Sequence, residues 1–351
     1  MAYNVRRTHS SNGTGDTLVD LWSRNLQMRG SPRDKFEWYY RSNPVGPAEA
    51  FLLEHVDGEN TSVVGCCGIG QRRVYLDGAP VVAGLFADFA VDRAHRTTLP
   101  ALKLQRALCD YGLSSYALTY GFPNEAAVGL FGRIGFPILG RMSRYVRILR
   151  FARYLHRRAP RPISDVAAAA LDAGSLFYYR RKLSRRRLQL TWVTDVDERF
   201  DALAAAVTNR YRMLGDRSKE FLRWMYLKRP NASANIAALV DPAAGSIDAY
   251  AAVVTKEPGV AMIADFLGRS PAALSDLLIR LAPALRDRGF ASAATVFLGD
   301  PEVAAVLTRA GYSLRGPGKF VVAATGHEAA IDGDTTKDVT RMYFTDADRD
   351  N

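Results

Sequence analysis

The chain has 351 residues, 48% of them hydrophobic and 24% charged, with a formal net charge of +11. That length accommodates two domains of ordinary size, and the composition excludes a disordered chain. No run approaches the length of an apolar membrane span, and the polar opening from Met1 to Ser10 lacks the apolar core of a secretory signal.

Residues 1–16 are rich in Ser, Gly, Thr and Asn and read as loose. A short helix is expected over Leu18–Leu26. Ser31 caps and Pro32 opens another, which carries Trp38, Tyr39 and Tyr40 and stops near Asn43-Pro44. Ala50–Val56 and Ser62–Tyr75 read as strands of antiparallel hairpins, turning at Asp57-Gly58 and Asp77-Gly78. Next come a strand over Leu85–Val91, a polar loop from Asp92 to Thr98, and a helix over Leu99–Tyr111 ended by Gly112. A strand over Ala117–Phe122, a helical stretch from Pro123 to Phe136 and a closing strand over Arg144–Phe151 complete this part. Residues 152–190 form a connector broken at Pro160 and Pro162, with a helix from Val166 to Tyr179. Beyond it, strands are expected at Leu190–Val193, Ile236–Val240, Ile247–Thr255, Val260–Leu267 and Ala294–Leu298. Helices are expected at Asp197–Tyr211, Lys219–Leu227, Ser270–Arg288 and Pro301–Arg309, and the tail from Arg341 starts as a strand and ends in acids. This divides the chain into a first domain (1–151), a basic connector (152–190) and a second domain (191–351).

The positive charge is local. Arg141–Leu190 holds fourteen Lys and Arg against Asp165 and Asp172, while the rest of the chain is close to neutral. Three readings fit the stretch Arg141–Arg187: a solvated connector, a patch for an anionic membrane surface, or a grip on a polyanion such as tRNA. The cysteines Cys66, Cys67 and Cys109 form no disulfide framework, since neighbours on a strand face opposite ways. They suit a reducing cytoplasm, with peripheral membrane attachment left open. No Cys/His spacing suggests a metal site.

Four sets of residues recur in order. Trp38, Tyr40 and Pro44 match Trp224, Tyr226 and Pro230, and Ala87-Asp88-Phe89 matches Ala264-Asp265-Phe266. Ala107-Leu108, Asp110 and Gly112 match Ala284-Leu285, Asp287 and Gly289, and Gly135-Phe136 matches Gly311-Tyr312. Ordered recurrence of this kind indicates a duplicated fold.

The stretch from Leu85 to Phe136 resembles the acyl-CoA-binding core of GNAT N-acyltransferases. Asn124, Ala127, Leu130, Phe131, Arg133, Gly135 and Phe136 fit the motif N-x-x-A-x-x-L-[YF]-x-[KR]-x-G-F at every named position. In the family's phosphate loop, Q/R-x-x-G-x-G/A, Arg96 and Ala101 match, while Leu99 and Pro100 replace residues that let backbone N–H groups approach a pyrophosphate. The resemblance implies an α/β (α+β) fold of two GNAT-like domains, each a mixed, mostly antiparallel twisted sheet flanked by helices. It implies acetyl-CoA or another acyl-CoA as co-substrate, with no metal. Cofactor contacts would fall on Phe89, Val91, His95, Arg96, Thr97, Thr98, Ala101, Asn124 and Phe131. Asp88 would be the base; Phe131 occupies the family's usual tyrosine position, so Tyr120 or Tyr116 would stand in as acid, or the thiolate would leave without a side-chain acid. The second copy runs from Asp265 straight into the helix start Ser270-Pro271 and lacks the asparagine motif, so any CoA site belongs to the first.

The expected activity is transfer of an acyl group, with acetyl as the first choice, to an amine. The acceptor is a small molecule or glycan, such as an amino sugar of a surface-polysaccharide precursor. Two rivals stand beside it: a non-catalytic binding or scaffold protein of the same fold, and an aminoacyl-tRNA-dependent transferase.

Overall fold

A computed structural model describes residues 2–9, 13–28, 30–156, 160–183, 187–230, 234–326 and 338–350. The first part contains β1 (Ala2–His9), α1 (Thr14–Asn25), α2 (Pro32–Lys35) continuing as a π-helical turn over Phe36–Arg41, β2 (Glu49–Asp57), β3 (Asn60–Leu76) and β4 (Ala79–Val91). It goes on through α3 (Thr98–Ser115), β5 (Leu118–Gly121), α4 (Glu125–Ile134), β6 (Ile138–Ile148), α5 (Ala152–Leu155) and α6 (Arg161–Arg180). The second part contains β7 (Gln189–Val193), α7 (Glu198–Ala205), β8 (Met213–Gly215), α8 (Lys219–Leu222) continuing as a π-helical turn over Arg223–Leu227, β9 (Ala234–Val240), β10 (Ile247–Glu257) and β11 (Val260–Gly268). It ends with α9 (Pro271–Asp287), β12 (Ser292–Gly299), α10 (Pro301–Arg309), β13 (Ser313–Thr325) and β14 (Met342–Phe344).

The strands join one mixed sheet in the order β1-β2-β3-β4-β5-β13-β6-β12-β11-β10-β9-β7, with β8 and β14 paired off this path. Pairing is antiparallel except for β4–β5, β11–β12 and β8–β14. The order is mirrored about its centre, where two strands have changed sides. β6 pairs with β12 from Ser143 to Ile148, and β13 pairs with β5 from Val322 to Thr325. The two crossed strands also pair with each other, in a ladder that shifts register at Pro317. Proline donates no ladder hydrogen bond, so a bulged position is where a sheet can hold it.

Several elements differ from the sequence expectation. Residues 2–9 are not loose: β1 lies against β2, and Tyr3 and Val5 pack on the apolar cluster under α3. Alternation over only two apolar residues was too short a signal to set against the polar composition. The helix α3 continues through Gly112 to Ser115, because a Cβ there would crowd Thr119 and Ile69 and glycine lets the helix lie on the sheet. The Gly316-Pro317-Gly318 run concealed β13. Pro160 and Pro162 start α6 instead of breaking it, since a first helical turn tolerates proline. Asp77-Gly78 does form the expected two-residue hairpin turn, with φ of 46° and 84°.

The two π-helical turns meet at the middle of the largest apolar cluster. Trp38 and Trp224 stack with centroids 4.5 Å apart and planes 16° from parallel. Each indole N–H donates to the other tryptophan's backbone carbonyl, at 2.9 and 3.2 Å. Residues separated by 186 positions in the sequence are thus reciprocal partners in space.

Part of the basic stretch is structural. Arg147 is buried on β6, donates to the Ala310 carbonyl at 2.7 Å and lies 4.3 Å from the Tyr179 ring centroid, so it is not available to a polyanion. Arg157, Arg158, Arg185 and Arg186 lie outside the described residues.

Strand exchange makes each half depend on the other. A fragment of residues 1–151 is expected to lack a cooperative unfolding transition, because β5 loses its β13 partner and β6 loses both neighbours. The full chain is expected to unfold in one transition. Circular dichroism during urea titration of both proteins checks this; a fragment with its own sharp transition would contradict it.

Candidate active site

β4 and β5 run parallel and pair only from Ala83 to Leu85 against Leu118 to Tyr120. Beyond that point β4 continues to Val91 without β5, and a cleft of about 640 Å³ opens between them. Its walls are Phe86–Val91 of β4, the loop and start of α3, and the Phe122–Asn124 turn with the start of α4. A strand end without a partner exposes backbone donors and acceptors that an extended ligand can pair with.

The splay coincides with a bulge. Ala87 pairs with Gly68 and Ala90 with Cys66, so Asp88 and Phe89 together face Cys67. Asp88 takes φ of 52°, a left-handed backbone uncommon for a residue other than glycine. Bulges increase strand twist and redirect a side chain. Here the carboxylate turns toward the π-helical turn, accepting from Lys35 Nζ at 2.5 Å and Tyr40 Oη at 3.0 Å. Tyr40 reaches it by crossing β3 at Gly68, where any Cβ would collide with the phenol oxygen. Burial raises the Asp88 pKa above the ordinary carboxylate range, and the Lys35 ammonium opposes that shift. The group therefore binds a proton more readily than a surface aspartate.

At the other end of the cleft, α3 begins. Its N-cap Thr97 makes no side-chain capping bond, leaving the first-turn N–H groups of Thr98, Leu99 and Ala101 without that partner. Leu99 is 71% exposed, and neither it nor Pro100 lines the cleft, so the missing glycines do not obstruct it. Arg96 is held across the loop, donating to the Val91 carbonyl at 2.7 Å and to Asn25 Oδ1 at 2.9 Å. Asn124 accepts from the Ala127 N–H at 2.9 Å and so caps α4.

The corresponding place in the second half is filled by the chain itself. β11 leaves β12 after Ile263 and Thr295, and β14 then pairs with Leu298 and Gly299 of β12. Tyr343 Oη donates to the Phe266 carbonyl at 2.5 Å. Asp265, the counterpart of Asp88, is fully buried. It accepts from Arg217, from Tyr250 at 2.5 Å and from Thr345 at 2.7 Å. Burial works against the Arg217 guanidinium, and the Asp265 and Asp348 carboxylates more than offset it, keeping it charged.

No family model matches the chain, and no curated protein matches it. Solved structures do. A conserved protein from Enterococcus faecalis described as a probable N-acyltransferase superposes with a TM-score of 0.63 at 12% identity, over 93% of this chain and 73% of that one. A GCN5-related N-acetyltransferase from Anabaena variabilis gives 0.62 at 11%, over 91% and 72%. Saccharomyces cerevisiae N-myristoyltransferase, solved with myristoyl-CoA bound, gives 0.54 at 11%, over 97% and 85%. The chain has the GCN5-related N-acetyltransferase (GNAT) fold.

Within this GNAT fold, Asp88, Phe89, Val91, Arg96, Thr97, Thr98, Ala101, Asn124 and Phe131 all line the one cleft. His95 and Tyr120 do not. The His95 ring accepts or donates at Tyr3 Oη, 2.9 Å away, on the outer side of the loop. Tyr120 is buried in the core beside Phe122 and Phe344. Phe131 packs against Phe86 and Phe136 as an apolar wall.

Of the charged residues that line the cleft, Lys319 went unnoticed in the sequence, while Asp350 was read only as part of an acidic tail, either solvated or attractive to a cationic acceptor. Lys319 comes from β13, and Asp350 from the tail that follows β14. Desolvation lowers the Lys319 pKa, as do neighbouring cations, Arg349 before Lys35. The apolar run Phe320–Ala324 was the available signal for β13. The tail is no solvated end: Asp346 pairs with Lys256 at 2.5 Å, and Asp348 with Arg217 at 2.8 Å.

All three cysteines are buried, and burial raises each thiol pKa, that of Cys109 to about 12. A thiolate is the reactive form, so none serves as a nucleophile at neutral pH. Ellman's reagent at neutral pH is expected to leave the native thiols unmodified and to titrate all three after unfolding. Prompt reaction of a native thiol would contradict their placement.

Proposed function

We propose that this chain is an acyl-CoA-dependent N-acyltransferase whose donor site is the cleft between β4 and β5. The observation that carries the reading is that one splayed strand pair is open while its counterpart is closed by the chain's own tail. The open one adjoins an uncapped helix start and an arginine, features that favour a pyrophosphate. The pantetheine arm would pair along β4 from Phe89 to Val91, where β5 is absent and Arg96 already holds the Val91 carbonyl, and a backbone N–H there would polarise the thioester carbonyl.

Asp88 and Asp350 border the cleft, beside Lys35 and Lys319, and offer two carboxylates to an acceptor that arrives as an ammonium. The ammonium gives one proton to Asp88, which frees the nitrogen lone pair for attack, and the nitrogen's second proton passes to water as the tetrahedral intermediate collapses. The new C–N bond forms, the C–S bond breaks, and the coenzyme leaves as a thiolate. Phe131 cannot protonate that thiolate, and Tyr120 lies in the core with its pKa raised by burial, so departure without a side-chain acid fits the residues present. Acetyl is the acyl group we assign, and a sugar amine of a surface-polysaccharide precursor the acceptor.

Calorimetric titration with acetyl-CoA tests the donor site. Binding in the micromolar range is expected, weakened about tenfold by Arg96→Ala. Asp88→Asn should bind acetyl-CoA like the wild type yet release coenzyme A about a hundredfold more slowly with a panel of sugar amines. The wild-type rate should rise with pH as Asp88 loses its proton, at a pH above the ordinary carboxylate range. No binding of acetyl-CoA or longer acyl-CoAs would overturn the proposal.

A further inference from the structure

The outer face of α6 has no partner among the described residues. Ser164, Ala168 and Asp172 face the body of the protein, where Asp172 pairs with Arg286 at 2.9 Å and accepts from the Phe151 N–H at 3.0 Å. On the opposite side Ile163, Val166, Phe177 and Tyr178 are between 55% and 73% exposed. At 100° per residue these four fall in one arc together with Ala167, Ala170 and Gly174. The helix is 20 residues long, about 30 Å, and this arc carries no charge until Arg181. Among the described residues, eleven large hydrophobic side chains are exposed, and five of them, counting Leu171 at the arc's edge, are on α6. Such concentration sets it apart from the scattered apolar residues of an ordinary surface.

Cations flank one end of the face. Arg180, Arg181 and Lys182 stand at its C-terminal end. The Arg181 guanidinium lies 5.6 Å from the Phe177 ring, and Lys182 Nζ lies 4.4 Å from the Tyr178 ring. The nearby acids are engaged: Asp172 as above, and Asp165 with His156 at 2.6 Å.

We propose that α6 lies on the surface of an anionic phospholipid bilayer, its apolar face in the headgroup boundary and its terminal cations on lipid phosphates. Aromatic and aliphatic side chains supply the apolar contact, and basic residues at the same depth the attraction to negative headgroups. No helix among the described residues is long and apolar enough to cross a membrane, so α6 would lie along the surface. A second copy is the less suitable cover. A second copy of this face offers its cations no free counter-charge, since Asp165 and Asp172 are paired within the chain. The proposal does not rest on the acyltransferase reading and is tested without it.

Sedimentation with vesicles decides the matter. The full chain is expected to pellet with vesicles of equal parts phosphatidylcholine and phosphatidylglycerol, at least about tenfold more tightly than with phosphatidylcholine alone. The double variant Val166→Glu with Phe177→Glu should lose about tenfold or more of that binding, as should Arg181→Glu with Lys182→Glu. All these side chains are exposed, and an unchanged circular dichroism spectrum confirms that each variant is folded. No pelleting with anionic vesicles, or undiminished pelleting of the apolar double variant, would overturn the proposal. So would a lipid-free dimer that Phe177→Glu abolishes, or binding to tRNA in place of vesicles.

Discussion

The exchange of β6 and β13 is the constraint from which the rest follows. A strand that pairs on both edges in a foreign sheet cannot be withdrawn without opening two ladders. The exchange welds the halves into one sheet, and it does something further for the cleft. β13 occupies the outer edge of β5, so β5 is held in place although β4 abandons it after Leu85. A gap between two parallel strands closes unless each has a firm neighbour on its far side. β4 has β3, and β5 has β13. The stacked tryptophans at the centre tie the halves together, each indole N–H being satisfied by the other half's backbone.

The same local design leads to opposite outcomes in the two halves. Both penultimate ladders carry a register shift beside the Ala-Asp-Phe triplet. In the second half, Asp265 is locked to Arg217, which is locked in turn to Asp348 of the tail. Removing one partner from a buried ion pair costs about 3–5 kcal/mol, so the tail stays docked and the gap stays shut. In the first half, Asp88 is held by Lys35, which is partly exposed, and by one phenol, and the carboxylate still borders open space. Burial raises the pKa of both carboxylates, but Asp88 borders an unpaired strand edge, while Asp265 is closed under its salt bridge and braces the tail. The tail that braces the second half ends with Asp350 in the cleft of the first, so closing one site helps to shape the other.

Much of this was legible in the residues, for identifiable reasons. Asp77-Gly78 and Ser270-Pro271 are local signals whose chemistry acts within four residues, and both took the expected place. The spacing of 186 between the tryptophans pointed to paired positions, though not to their stacking. What sequence could not show is long-range. Whether β13 exists depends on β5 and β6 flanking a segment broken by Gly-Pro-Gly. Whether Asp348 is solvated depends on Arg217, more than a hundred residues earlier, and whether Asp346 is depends on Lys256. Tyr120 reads as a strand residue of either face, and only the packing of Phe344 against it decides that it is core. The basic stretch also resists a one-dimensional reading, since Arg147 is a buried hydrogen-bond donor while Arg181, on the far helix, is at the surface.

The central claim is that the chain keeps one acyl-CoA cleft open and fills the other with itself. Amide hydrogen exchange of the full chain, with and without saturating acetyl-CoA, tests it most directly. Slowed exchange confined to 86–101 and 119–127, with 264–273 and 342–348 unchanged, is the result this account predicts. Protection appearing over 264–273, or no protection at 86–101, would contradict it.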